Sequence, residues 1–539
     1  MLFLNENRHL YEGLTRHNYF PNQKDSIGEI PPCFSTRQFT PEIVELLIGI
    51  DESKDRKKLG YDQVEYLATR HDNVPRSLGL IHPKAYAYLA KTIYDNWDKL
   101  KQVTDNGNSM IKPDMHTDGR IMIMNYEDIT DKTRQALNDG FGKRFRVHSD
   151  ISSCFHSIYT HSIPWATIGF DKAKSKFSEN KRGKTTWFDD LDKSLRRTKR
   201  NETQGIAIGP ATSSIVVEHI LGAVDKVLTG KGFKFRRYID DYACYCETYE
   251  SAQQFIQVLS KELRVYKLNI NLHKTKIIDL PETLNDDWVS VLAGALPTNY
   301  IDEKYTRRKL IESEIIHYLD TAVRLNKSTP DGSVIKYAVS SVVYQINDSA
   351  IESVLDYVIN LSWHYPVLLP YLDILFSSEY IEPEKYTQQL NSIIAENARN
   401  GRSDGMAWPL YFLKKYSLPV SNKAFAETLR AKDCLSLLCL YATGTMVEHI
   451  VDFAYDLFCK TDYEKDQYWL LLYQLFRDGV IKSPYDDGVF EMLNEYGVNF
   501  MPAHDEYNSA EKYCNYLYNP FAKPEEKSTP FKDWVKELQ

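Results

Sequence analysis

At 539 residues, 43% hydrophobic and 26% charged, the chain is long enough for two or more cores and has the balance of an ordinary soluble globular protein. Its net charge of −8 argues against a protein that coats duplex DNA by bulk electrostatics. The absence of any run of about 18 apolar residues argues against a membrane span, and eight cysteines without a CxxC pair argue against a zinc ribbon or a disulfide framework.

The N-terminus, Met1-Leu2-Phe3-Leu4-Asn5-Glu6-Asn7-Arg8, lacks the basic-then-apolar order of a signal peptide, so a cytoplasmic protein with no membrane partner is expected. Residues 1–70 read as an extension of turns and short helices, with a Pro-rich turn at Ile30-Pro31-Pro32-Cys33. Short-strand chemistry punctuated by Pro75 and Gly79 follows, leading into a helix over Lys84–Leu100 with apolar Tyr88, Leu89, Ile93 and Trp97. Arg76 has the planar fork that suits a triphosphate, although taken alone it reads more readily as a surface salt bridge. An alternating strand from Lys143 to Ile151 then delivers Asp150. Five residues on, Phe155 either packs in the core or lies under the sugar of a bound nucleotide, where its ring would clash with a 2′-OH and select deoxynucleotides. Between Asp171 and Arg200 eleven Lys or Arg stand against five Asp or Glu; a solvated loop and phosphate binding fit that run equally.

Next comes Gly205-Ile206-Ala207-Ile208-Gly209-Pro210-Ala211-Thr212-Ser213-Ser214, then a helix in which Val217, Ile220, Leu221, Val224 and Leu228 keep a helical period. The Thr/Ser cluster is the expected N-cap, and glycines before a helix start let a substrate approach the backbone. Phe235-Arg236-Arg237-Tyr238-Ile239-Asp240-Asp241-Tyr242-Ala243-Cys244-Tyr245-Cys246 reads as two β-rich runs joined at adjacent carboxylates, a hairpin with both acids at the turn. Burying two neighbouring acids raises at least one pKa unless a cation compensates. With Asp150 they form a three-carboxylate set able to hold two Mg²⁺ ions, or Mn²⁺, which activate a hydroxyl and stabilise a leaving pyrophosphate. A helix over Ser251–Tyr266 and a loop-then-strand over Leu268–Ile278 follow. Lys274 there is an exposed lysine unless its neighbours make it the general acid for pyrophosphate. From about residue 300 apolar-periodic segments of helical length recur and strand signals are few, which predicts stacked helical hairpins without a clean repeat consensus.

With Asp150, the Gly209 loop and Tyr238-Ile239-Asp240-Asp241 in this order, the central region resembles reverse transcriptases. Within them, His148-Ser149-Asp150-Ile151-Ser152-Ser153-Cys154-Phe155-His156-Ser157-Ile158-Tyr159-Thr160-His161-Ser162-Ile163-Pro164-Trp165 looks like the AbiK-like bacterial abortive-infection (Abi) enzymes. The resemblance implies an α+β fold: residues 1–70 as an extension forming part of the fingers, 71–295 as fingers and palm, and 300–539 as an all-α HEAT-like repeat domain. It also implies phage defence, deoxynucleotide addition without a template, priming by a tyrosine of the protein, a covalently attached single-stranded DNA product, homo-oligomers and a phage-encoded trigger. By motif, Asp150, Asp240, Asp241 and the Ile151 carbonyl fall at the metal ligands, Phe155 at the sugar gate, Gly209 and Pro210 at the nucleotide-contacting loop, and Lys274 near the leaving group. Ordinary members carry Gln-Gly where this chain has Ile208-Gly209, and an apolar residue there weakens template reading. Of 37 tyrosines, Tyr11 and Tyr19 are named as candidate primers for their place before the fingers. A templated enzyme with a non-coding RNA partner and a non-catalytic phage-sensing scaffold are the rival expectations.

Overall fold

The computed structural model describes residues 6–502 apart from 22, 24–26, 71–72, 117, 124–128, 180–185, 284–285, 298–308 and 331–332. The expected domain link near residue 300 and Cys514 lie outside the described residues.

The first segment is short helices and turns as expected up to residue 62, but a strand, Gln63–Thr69, ends it because the segment 75–81 pairs with it. Pro41–Gly49 and Lys54–Leu59 start at Thr40 and Ser53, whose hydroxyls accept from the N–H groups of Ile43 and Arg56. β1 (Gln63–Thr69) and β2 (Pro75–Ile81) pair antiparallel from Gln63↔Ile81 to Thr69↔Pro75. The helix predicted over Lys84–Leu100 is two pieces, Pro83–Asp95 and Trp97–Leu100. The break is at Asn96, whose side-chain amide donates to the Thr92 carbonyl at 2.9 Å and so competes with the helix's own bonding.

Four further strands, β3 (Phe145–Asp150), β4 (Phe235–Tyr238), β5 (Asp241–Cys246) and β6 (Lys276–Asp279), form an antiparallel sheet in the order β4-β5-β3-β6. Alternation sends Val147, Phe235, Cys244 and Cys246 into the core. There they meet the helix Tyr249–Val265 with its buried Phe255, Leu259 and Leu263. That helix starts earlier than predicted because Thr248 and Ser251 cap one another.

The helix Ala211–Gly230 corrects the predicted cap: its N-cap is Pro210, and Thr212, Ser213 and Ser214 lie buried in the first turn. The reason is tertiary. The Ala211 N–H is taken by the Asn18 carbonyl at 3.0 Å, so a distant segment supplies the acceptor that a local side chain would otherwise provide.

From Glu312–Ser328 to Val489–Glu495 every described element is a helix. These helices close back on the beginning of the chain. The Trp469 indole N–H donates to the Leu80 carbonyl at 3.0 Å, Arg56 pairs with buried Asp466 at 2.7 Å, and the Phe500 carbonyl accepts from Ser35 N–H. Ser403 and Asp404 accept from the N–H groups of Leu67 and Thr69, covering the free edge of β1. No helix among the described residues is long and apolar enough to cross a membrane.

Candidate active site

The register of β3 against β5 sets Asp150 directly opposite Asp241, and the two-residue turn before β5 places Asp240 beside both. The turn is docked from below: the Asp240 carbonyl accepts from the Ile151 N–H at 3.2 Å. A second loop is pinned to the end of β3, where Asn271 N–H donates to the Asp150 carbonyl and Ser152 N–H to the Asn269 carbonyl. Those bonds carry the Ile151–Ile270 bridge and, among the described residues, leave the Ile151 carbonyl outside the ladder.

Electrostatics mark this corner as short of positive charge. Burial first, then the charges of Asp241 and Asp150, pushes the Asp240 carboxyl up to about 6. Lys274, brought by the pinned loop, sets its ammonium on Asp150 and is itself raised by that hydrogen bond. His148 Nε2 lies 3.9 Å from Asp241 Oδ1. Among the described residues no three acidic, His or Cys groups close into a ready-made cation cage, and on the Asp150 side the carboxylate is engaged by Lys274. The donor set of hard carboxylate oxygens suits Mg²⁺ or Mn²⁺.

The other predicted residues gather around the corner to different degrees. Arg76, on β2, is half-buried and makes no ion pair with a described residue. Burial, with Arg70 beside it, lowers its guanidinium, whereas Glu29 and the field of Asp240 act the other way. Phe155 is buried, with its carbonyl accepting from Ile206 N–H at 3.0 Å. Gly209 has φ +125, and a Cβ there would lie 2.6 Å from Pro21 Cγ, so the close approach that requires glycine is made by the chain's own Pro21. Ile208 is buried, its carbonyl taken by Gly79 N–H.

Tyr11 and Tyr19 are not brought to the carboxylates. Tyr11 is buried with its hydroxyl donating to Glu45 at 2.9 Å, and Tyr19 is fully buried, stacked on Tyr86 at 3.8 Å and donating to the Ile81 carbonyl. The basic run is two helices, Phe170–Glu179 and Trp187–Arg196, where a loop was one expectation; residues 180–185 lie outside the described residues. Its later arginines are committed, Arg197 to Glu52 at 2.6 Å and Arg200 to Asp62 at 2.6 Å.

Residues missed in the sequence include Glu218 and Asp225, buried on the helix Ala211–Gly230, and Arg237, buried between them. The signal was present: Arg237 shares an inward strand parity with Phe235.

Three carboxylates, a docked loop and a lysine thus meet at one corner of the sheet. Residues 98–321 match the family model "Reverse transcriptase (RNA-dependent DNA polymerase)", so the chain carries a reverse transcriptase domain. No curated protein matches the chain. Among solved structures it is similar to apo telomerase from Candida tropicalis, at 12% identity and TM-score 0.31 over 79% of this chain and 72% of that one. The Candida tropicalis telomerase in complex with a telomeric RNA fragment matches at 12% identity and TM-score 0.31, over 74% and 65%. Telomerase from Candida albicans with such a fragment matches at 12% and 0.28, over 80% and 70%.

Proposed function

We propose that the protein is an antiphage, abortive-infection DNA polymerase that adds deoxynucleotides without a template, starting from a tyrosine of its own chain. The observation that carries the polymerase reading is the carboxylate corner itself: Asp150 directly opposite Asp241, Asp240 at the turn beside them and Lys274 paired with Asp150. Asp150, Asp240, Asp241 and the Ile151 carbonyl would hold two Mg²⁺ ions. Those ions, when bound, supply nucleophile activation and charge stabilisation at the transferred phosphate. Arg76, without an ion pair among the described residues and within the field of Asp240, binds the triphosphate. Lys274 keeps its proton at neutral pH and, once off Asp150, is positioned to hand it to the leaving pyrophosphate. Phe155 gates the sugar from its buried seat, and Gly209-Pro210 borders the nucleotide.

The untemplated mode is supported by the loop at Ile208-Gly209, where the apolar side chain is buried and Pro21 covers the glycine. Residues 300–539 act as a HEAT-like helical array that braces the fingers through β1 and receives a phage-encoded trigger, in a cytoplasmic homo-oligomer with single-stranded DNA attached. Priming from Tyr11 or Tyr19 requires the N-terminal segment to leave its seat.

The test is purified protein with Mg²⁺ and labelled deoxynucleotides, no template and no primer, on a denaturing gel before and after protease. Label that stays with the protein and is released as DNA is the expected result, and the attached peptide names the tyrosine. Incorporation only when an RNA is supplied would establish the templated rival; none under any condition would leave the scaffold.

A further inference from the structure

The hairpin is least comfortable at Ile239. Its φ is +61 while Asp240 stays at negative φ, the pattern of a type II′ turn, whose first place favours glycine. A β-branched residue in the left-handed region is strained, and such strain persists only where neighbours over-determine it.

The neighbour here is Arg237, two residues back and fully buried. Its guanidinium spends all five N–H donors. Nε donates to Asp225 Oδ2 at 2.9 Å, one terminal nitrogen to Asp225 at 2.8 Å and Glu218 at 3.0 Å, and the other to Glu218 at 2.7 Å and to the Ile239 carbonyl at 2.9 Å. The carboxylates are themselves held. Asp225 accepts from the Tyr242 hydroxyl at 3.0 Å and the Asn106 amide at 2.7 Å, and Glu218 from the Ser109 hydroxyl at 2.7 Å. The backbone of Arg237 is clamped as well, its N–H on the Asn108 carbonyl at 2.7 Å and its carbonyl taken by Met110 N–H at 2.9 Å. Every route by which the guanidinium could move breaks a buried bond, so the one donor pointing at Ile239 has a fixed position.

We propose that Arg237 is the positioning residue of the carboxylate corner: anchored on Glu218 and Asp225, it holds the Ile239 carbonyl and thereby fixes the left-handed turn that aims Asp240 at Asp150 and Asp241. The inference rests on the corner being the metal-binding catalytic site. A lysine at this place keeps the charge but has three donors on a flexible stem, so it cannot reproduce the five bonds of the planar fork that tie both carboxylates and the carbonyl together.

The test compares Arg237→Lys, Ile239→Gly and the double variant by Mn²⁺ affinity from electron paramagnetic resonance, by kcat and KM for nucleotide incorporation, and by Tm. Arg237→Lys is expected to weaken Mn²⁺ binding about tenfold or more, as loss of a ligand-orienting partner does, and to lower kcat with little change in KM. Adding Ile239→Gly restores most of the Mn²⁺ binding, because glycine adopts the turn unaided. A lowered Tm with unchanged Mn²⁺ affinity, or no rescue by Ile239→Gly, overturns the proposal and leaves Arg237 as a stabilising residue only. If Arg237→Lys gives no folded protein, Glu218→Gln, which keeps the guanidinium and loosens its anchor, carries the same comparison. Unmodified protein that binds Mn²⁺ but incorporates nothing sinks the polymerase reading while the metal comparison still stands; protein that binds no Mn²⁺ sinks both.

Discussion

Beneath the carboxylate corner the interior is made of charge, with Arg237, Glu218, Asp225 and Tyr242 all buried and tied by hydrogen bonds. At the seam between the start of the chain and the late helices it is made of rings: Tyr19, Phe20, Phe39, Trp469 and Phe500 pack with centroids 5.0–6.4 Å apart. Apolar burial is non-directional and scales with area, so the seam contributes cohesion and tolerates small displacements. Buried ion pairs contribute little net stability, because desolvation offsets their attraction, but they are directional. One region holds the molecule together and the other holds particular atoms in place, and the two are separable by experiment.

Asp240→Asn breaks the charged side most sharply. In the proposed polymerase, losing this ligand removes several kcal/mol of transition-state stabilisation, on the order of a thousandfold in nucleotide incorporation, while Tm stays level or rises because a repelling charge is gone. Trp469→Ala breaks the apolar side in the opposite sense. It lowers stability by about 3–5 kcal/mol, read from the denaturation midpoint, and leaves incorporation per folded molecule unchanged.

A pH series sharpens the contrast without a large perturbation. The folded Asp240 carboxyl is raised to about 6 from an ordinary value near 3.8, so between those values the folded protein binds more protons than the unfolded chain. Stability attributable to this group therefore falls as pH rises through the window, and the penalty is complete above about 6. Urea midpoints of the unmodified protein should show that slope relative to Asp240→Asn, and Mn²⁺ affinity should rise over the same interval as the proton leaves. Equal slopes in the two proteins would mean the corner is not strained by charge. The smallest effect belongs to Lys274→Gln. Its ammonium is largely exposed, so stability changes by less than about 1 kcal/mol. Mn²⁺ binds more tightly without nucleotide, since the competing cation on Asp150 is gone, and incorporation slows.

The charged corner was legible in the sequence wherever its logic is local. Adjacent acids between two alternating runs place Asp240 and Asp241 at a turn, and an alternating strand ending in Asp150 supplies the partner. What was not legible depends on segments far apart. The Thr212–Ser214 cluster has the composition of a cap, yet Asn18 takes that role from nearly two hundred positions away. Tyr11 and Tyr19 are named for their place early in the chain, but Tyr94 and Tyr86 of the helix Pro83–Asp95, with Phe500 beside Tyr19, cover them. The partners of Arg237 lie on a different element, and only its inward parity with Phe235 hints that its charge lies inside.

The seam also has a consequence in time. Arg56 and Asp466 are 410 residues apart, and Trp469 meets Leu80 across 389. At ribosomal speeds of roughly 5–20 residues per second, the rings of Tyr19, Phe20 and Phe39 wait roughly 20 to 100 seconds for Trp469 and Phe500 to be made. The sheet bearing the three carboxylates is complete by Asp279, long before that. A nascent chain thus owns its carboxylates early and its aromatic seam last, with unpartnered rings exposed to chaperones in between.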